Sequence, residues 1–311
     1  MSRDLYPKDG LNFSLSPWER AGVRGTSITN QAAHCQPSPE KGRAFTLIEL
    51  LVVIAIVGIL AGLAAPVLHN FRPNYTASVT QQLLTDLARA RQLAISQHTT
   101  VYMVFVPTNF WNDPATASWN KADWMQATNL FDKQIIGYNF VSLRSIGDQP
   151  GRPTVHYLSS WKTLPEGGFI YPRKFIPSNL PVMAIYTNGL SSLAFNVFGF
   201  DFANTISPGS PVIPFPLETT AKAGIRNPYV MLPYIAFDYM GRLVSNQGQG
   251  KGAVIPISRG SVVFSHDANR KPREAIPTFN EQPIGNVTNG YNVVYVDTIT
   301  GRARALQQEV R

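Results

Sequence analysis

Apolar positions follow three different rhythms along this chain. Over residues 50–68 they form one run, interrupted by nothing more polar than Gly58, Gly62 and Pro66. The run matches the roughly 20 residues that a helix needs to cross the apolar core of a bilayer. Next, Val79, Leu83, Leu87, Ala90 and Ala94 recur at three- and four-residue steps, with Arg89, Gln92 and Ser96 off that line. This spacing predicts an amphipathic helix ending near Gln97. From Val101 the pattern changes to short apolar runs bounded by Gly, Pro, Asn and Asp, which predicts strands and turns. Residues 101–106, 135–146, 168–171, 230–232, 235–237, 243–244, 253–257, 262–264 and 293–296 read as strands, 122–132 as a short helix and 159–164 as a helical turn. Residues 183–194 fit either state. Residues 107–228, rich in Pro, Gly, Ser and Asn, read as an irregular insertion.

What precedes the apolar run decides its orientation. Residues 1–44 contain Pro7, Pro17, Pro37 and Pro39 and no periodic apolar face, so they read as a leader outside the fold. Lys41 and Arg43 sit just before the run and predict a cytoplasmic N-terminus with an exported C-terminal domain. A secretory signal peptide has a shorter apolar core of about 7–15 residues and is cut after it. Small residues at Ala55, Gly58, Ala61, Gly62, Ala64 and Ala65 suit close packing of helices in lipid. Pro66 and Pro73 each lack an N–H and predict breaks or kinks.

One charge enters this picture at a costly place. Glu49 stands at the mouth of the apolar run. At the centre of a membrane helix a carboxylate costs roughly 2.5–3.5 kcal/mol. In the first turn the helix macrodipole favours it. A cation meeting it in an apolar bundle would be strongly attracted, because Coulomb energy grows as the dielectric falls.

The segment Lys41-Gly42-Arg43-Ala44-Phe45-Thr46-Leu47-Ile48-Glu49, followed by Leu50-Leu51-Val52-Val53-Ile54-Ala55-Ile56-Val57-Gly58, resembles the N-terminus of type IV prepilins and type II secretion pseudopilins. With Phe45 as the first mature residue, Glu49 and Pro66 fall where that family has a glutamate and a proline. Ala44 stands where the family has Gly. The resemblance implies an α+β, pilin-like fold: a long N-terminal helix, half transmembrane and half amphipathic, packed on a C-terminal antiparallel β-sheet domain. It divides the chain into a leader at 1–44, an assembly helix at 45–72, an amphipathic helix at 73–98 and a β-rich domain at 99–311. It implies cleavage between Ala44 and Phe45 by a prepilin peptidase, N-methylation of Phe45, and neutralisation of a neighbour's Phe45 ammonium by Glu49. The implied partners are other pilin or pseudopilin subunits, an inner-membrane assembly platform and the lipid bilayer. Residues 83–95 with 101–106, and more weakly Phe237-Asp238…Gly241 and Thr300-Gly301-Arg302, are similar to the minor pseudopilin subgroup of the GspH/FimT type.

Composition narrows the chemistry. The chain has 311 residues and a net charge of +8, and its one cysteine, Cys35, lies in the leader. The remainder therefore has no disulfide. His69, His98, His156 and His266 are scattered and predict no metal site. Gly189-Leu190-Ser191-Ser192-Leu193 lacks the second glycine of a nucleophile elbow. Gly248-Gln249-Gly250-Lys251 lacks the spacing of a phosphate loop. The reading is a structural subunit with no catalytic residues, metal or cofactor. Trp111, Trp119, Trp124 and Trp161 read mainly as core. Gly301-Arg302-Ala303-Arg304 resembles the glycine–arginine tail motif linked to DNA capture in minor pilins. Alternation on a strand would set Arg302 and Arg304 on one face, although charges on an edge strand also simply discourage aggregation. Three alternatives follow: a DNA-binding minor pilin, a single-pass anchored enzyme, and a simple membrane-anchored protein.

Overall fold

The computed structural model describes residues 46–70, 75–145, 147–149, 151, 154–178, 180–186, 194–244, 252–289 and 292–307. They fall in two compact units divided at Phe71 and Arg72. The first holds helix α1, Leu47–Asn70, whose helical backbone continues through Pro66. Pro73 lies outside the described residues, as do Ala44 and Phe45.

The second unit begins with α2, Tyr75–Gln97. There follow β1 (Val101–Phe105), α3 (Lys121–Thr128), β2 (Gly137–Ser142), β3 (His156–Tyr157), β4 (Lys162–Thr163), β5 (Gly168–Ile170), β6 (Met183–Tyr186) and β7 (Ala194–Val197). The chain continues with β8 (Asp201–Ala203), β9 (Leu232–Phe237), β10 (Leu243–Val244), β11 (Ala253–Val263), β12 (Thr278–Glu281), α4 (Asn286–Asn289), β13 (Asn292–Val296) and β14 (Ala303–Gln307). Overall the chain is α+β, a helix followed by antiparallel sheets, consistent with a pilin-like fold.

The first sheet runs β10-β9-β1-β2-β3, with β4 also on β2 and β8 also on β9. The second runs β12-β11-β13-β14, with β5 on β11. Helix α2 packs against β1 and β9 of the first and β5, β11, β13 and β14 of the second. Its contact stripe is Val79, Leu83, Leu87, Ala90 and Ala94, each with no exposed surface. Burying each leucine is worth about 2–3 kcal/mol. On the helix side of the first sheet lie Met103, Phe105, Tyr138, Phe140 and Phe237.

A polar clamp sits among these apolar contacts. Asp86 is buried on α2. It accepts a hydrogen bond from the Tyr138 hydroxyl at 2.5 Å and pairs with Lys162 Nζ at 2.6 Å. Gln82 Nε2 donates to the Tyr138 hydroxyl at 2.7 Å and to the Thr163 carbonyl at 2.8 Å. Burial and the Asp86 carboxylate push the Tyr138 phenol well above its ordinary range. The clamp draws 162–163 into β4, paired with β2, where the sequence pattern predicts a helical turn.

Residues 107–228 are also not one irregular insertion. They supply β2, which pairs along the length of β1, and β8, which pairs with β9. The same region covers the sheet face turned away from α2. Along β1, Val101, Met103 and Phe105 face the helix core, while Tyr102 and Val104 join the second core. Phe110, Phe131, Phe215 and Trp119 are buried there, and Trp111, Trp124 and Trp161 pack half-buried at its margin. The segment 183–194 that fitted either state is β6 and the start of β7, separated by residues outside the description. The expected helix at 122–132 is α3, shorter, with a capping box between Asn120 and Asp123.

A lysine side chain lies inside this unit. Lys174 is 3% exposed. Its Nζ donates to the carbonyls of Phe198 at 2.7 Å and Gly199 at 3.4 Å, and sits 4.9 Å from the Phe200 ring centre. Burial lowers its pKa from 10.5 to about 7, against a smaller opposing pull from Asp201. Between those values the unfolded chain holds a proton that the folded chain does not, so unfolding is favoured as pH falls through this window. The melting temperature is expected to rise from pH 7 to pH 9.5, and Lys174→Met is expected to flatten that slope, as read by circular dichroism at each pH.

Candidate functional site

Two places carry the sequence-predicted functional residues, one in each unit. In the first, Thr46 caps α1. Its hydroxyl accepts from the Glu49 N–H at 3.3 Å, and its carbonyl accepts from the Glu49 and Leu50 N–H groups at 3.0 and 3.2 Å. The same hydroxyl donates to Glu49 Oε2 at the long limit of 3.5 Å. Thr46-x-x-Glu49 thus forms a variant of the capping box, in which the glutamate returns to the threonine hydroxyl. The carboxylate also complements the positive end of the helix dipole. Local chemistry alone therefore holds Glu49 at the helix mouth.

Every described side chain of α1, from Leu47 at 84% to Ala61, is exposed. A helix that is apolar all round needs an apolar surrounding. Gly58 and Gly62 stand four residues apart with open space where a Cβ would be, the spacing that lets helix backbones approach closely. Among the described residues no helix is long and apolar enough to cross a membrane.

In the second unit, two turns with the same design face each other. The first is Asp238-Tyr239-Met240-Gly241-Arg242, between β9 and β10. Asp238 Oδ1 accepts from the Met240 and Arg242 N–H groups at 2.9 and 2.8 Å. The second is Asp297-Thr298-Ile299-Thr300-Gly301-Arg302, between β13 and β14. Asp297 Oδ1 accepts from the N–H groups of Ile299 at 3.1 Å and Thr300 at 2.7 Å. The Thr300 N–H, with smaller help from its hydroxyl, holds the Asp297 carboxyl below its ordinary value.

Both turns need their glycines. Gly241 and Gly301 have φ of 76° and 60°, where side chains are strained. A Cβ on Gly301 would stand 2.0 Å from the Gly241 carbonyl oxygen, and one on Gly241 would stand 2.7 Å from Ile95 Cδ1. Arg91 of α2 locks the pair together. Its Nε donates to the carbonyls of Gly241 at 3.1 Å and Thr300 at 2.8 Å. The Leu243 N–H adds a bond to the Thr298 carbonyl at 3.0 Å.

Arg302 closes the second turn and Arg304 follows it, and both are exposed. Strand β14 begins at Ala303, so Arg302 belongs to the turn and only Arg304 to the strand. Arg304 lies over the Tyr295 ring, 5.1 Å from its centre. Arg242, of the first turn, pairs loosely with Asp238 at 3.7 Å. Arg91, absent from the sequence-predicted residues, is the side chain that joins these turns to the helix. Its position one turn before the partly buried Ile95 was the available signal.

Residues 41–65 match the model of the prokaryotic N-terminal methylation motif. No curated protein and no solved structure matches the chain significantly. The motif marks a type IV pilin-like or pseudopilin-like protein. In general terms it implies processing by a prepilin peptidase and assembly with pilin-type subunits.

The turn geometry makes a direct prediction. Gly301→Ala is expected to lower stability by about 1–3 kcal/mol through strain and collision with Gly241. Gly224→Ala, where a Cβ meets nothing within 4 Å, is expected to leave stability within about 0.5 kcal/mol. Thermal unfolding of the two variants side by side checks this.

Proposed function

We propose that the chain is a structural subunit, a minor pilin or pseudopilin of the GspH/FimT type, in a type II secretion pseudopilus or a type IV pilus. The observation that carries this reading is the Thr46–Glu49 cap at the start of an all-round apolar helix, inside residues that match the methylation motif. A prepilin peptidase cuts between Ala44 and Phe45 and methylates the new Phe45 amine. Helix α1 sits in the inner membrane as a single pass, with its N-terminus cytoplasmic and the β-rich unit on the exported side. The helix cap leaves Glu49 available to an incoming cation. On assembly its carboxylate meets the Phe45 ammonium of an adjoining subunit in an apolar bundle, where attraction is strong and sets register. An assembly platform in the inner membrane and the other subunits are the partners. The role is mechanical and needs no cofactor.

The expected mature chain begins at N-methylated Phe45, as read by mass spectrometry. Glu49→Gln keeps the length and the apolar helix but removes the charge. It is expected to leave cleavage intact and to lower incorporation into sheared filaments about tenfold or more. A mature chain that starts ahead of Phe45, or unchanged incorporation of the variant, overturns the reading.

A second reading rests on the exposure of Arg302 and Arg304 beside Arg242 at the paired turns. Guanidinium groups there suit a phosphate backbone, with sequence-independent binding that weakens as salt rises. If the paired turns capture DNA, duplex binding is expected to fall steeply with salt and to drop when Arg302 and Arg304 are both changed to Ala. Retained binding in the double variant, by fluorescence anisotropy, removes this reading.

A further inference from the structure

The two facing turns carry apolar side chains as well as arginines. Tyr239 and Met240 occupy the middle of the first turn, and Ile299 the middle of the second. They are 53%, 50% and 78% exposed. Val244 of β10, just past the first turn, is exposed too. The backbones of the two turns hold each other through the Leu243 N–H and the Thr298 carbonyl, and Arg91 bonds to both. Apolar residues far apart in sequence are thus gathered at one rim, beside the end of α2 where Arg91 and Ile95 lie. Apolar residues scattered singly over a surface are ordinary, whereas a group of them rimmed by charge marks a contact site.

The charge at this rim is mainly of one sign. Segments 238–244 and 297–304 contain Arg242, Arg302 and Arg304 against Asp238 and Asp297. Each aspartate spends an oxygen on its own turn's N–H groups. Arg242 is exposed where its loose partner Asp238 is only partly so. Arg242 also touches the Met240 sulfur, which sets a cation directly beside an apolar side chain.

This combination selects among partners. A nucleic-acid duplex offers phosphates to the arginines, but its backbone gives Met240 and Ile299 no apolar layer to enter. A protein partner would need a pocket shaped to two separate turns. A bilayer with anionic headgroups offers both chemistries in the right order, phosphates at the surface and acyl chains just beneath, and lipid adapts to a convex tip. Aromatic side chains such as Tyr239 favour the headgroup level. Arginines near an anionic bilayer are attracted to it electrostatically.

We infer that the paired turns are a docking surface for an anionic lipid bilayer. Met240 and Ile299 enter the headgroup boundary, Tyr239 lies at the interface, and Arg242 and Arg302 pair with lipid phosphates. The surface belongs to the second unit alone and does not depend on how α1 assembles. It shares its arginines with the duplex-binding reading and differs in requiring the apolar residues.

The test uses the full chain reconstituted in phosphatidylcholine nanodiscs, which keep α1 occupied, immobilised through the disc scaffold. Vesicles of phosphatidylcholine, or of an equal mixture of phosphatidylcholine and phosphatidylglycerol, are passed over them, with empty discs as the blank. The anionic vesicles are expected to be captured about tenfold or more better than the neutral ones, and less well as salt rises. Changing both Met240 and Ile299 to Ser is expected to weaken that capture about tenfold or more without altering the melting temperature, since both are exposed. Arg302→Ala is expected to weaken it about fivefold. The inference is overturned if anionic vesicles gain no advantage over neutral ones, or if the double serine variant captures them as well as the parent. It is equally overturned if that variant loses duplex DNA binding in parallel, which would assign the apolar residues to a nucleic-acid face.

Discussion

The second unit depends on one constraint: a single helix face must be covered by two sheets at once. Val79, Leu83, Leu87, Ala90 and Ala94 have no exposed surface, and strands of both sheets pack on α2. Small Ala90 and Ala94 occupy the C-terminal half of that stripe, near Arg91. There Arg91 reaches two backbone carbonyls, one from each of two facing turns. Apolar burial supplies the attraction, which has no direction. Asp86 and Arg91 supply direction, because a charged hydrogen bond is satisfied in only a few geometries.

The two facing turns show how similar local sequences serve one tertiary contact. Each has an aspartate that caps its own backbone N–H groups, then a glycine with positive φ, then an arginine. The aspartates stabilise each turn locally. The glycines have a further, non-local duty, since a methyl group on Gly301 would collide with the Gly241 carbonyl and one on Gly241 would crowd Ile95 and Arg91 of α2. The arginines are thereby brought to one edge of the unit, in the setting from which a phosphate-binding role would operate.

The first unit follows the opposite logic. Its described apolar side chains are exposed, yet its helix start is specified by Thr46 and Glu49. A helix that is apolar all round is completed only by an apolar surrounding. Placing Glu49 at the mouth keeps the charge out of the helix centre, where it would be most costly.

Local periodicity was enough to determine the buried face of α2, because i, i+3 and i+4 positions share a side of a helix whatever it packs against. It was also enough to mark β1 as a strand, whereas the Thr46 cap at the start of α1 emerged only with the structure. Pairing was a different matter. β1 lies between β2, close in sequence, and β9, more than a hundred residues later, and no local pattern encodes such a choice. The unbroken apolar run of β1 did hold a sign that both sheet faces are covered. Which segment supplies the second cover was decided only when Phe110, Phe131 and Phe215 converged from distant loops. Lys162 made the same point in miniature: its stretch resembled a helical turn, and the Asp86 carboxylate, 76 residues away in sequence, helped make it a strand. Folding brings charges together through space, and a reading along the chain sees only neighbours.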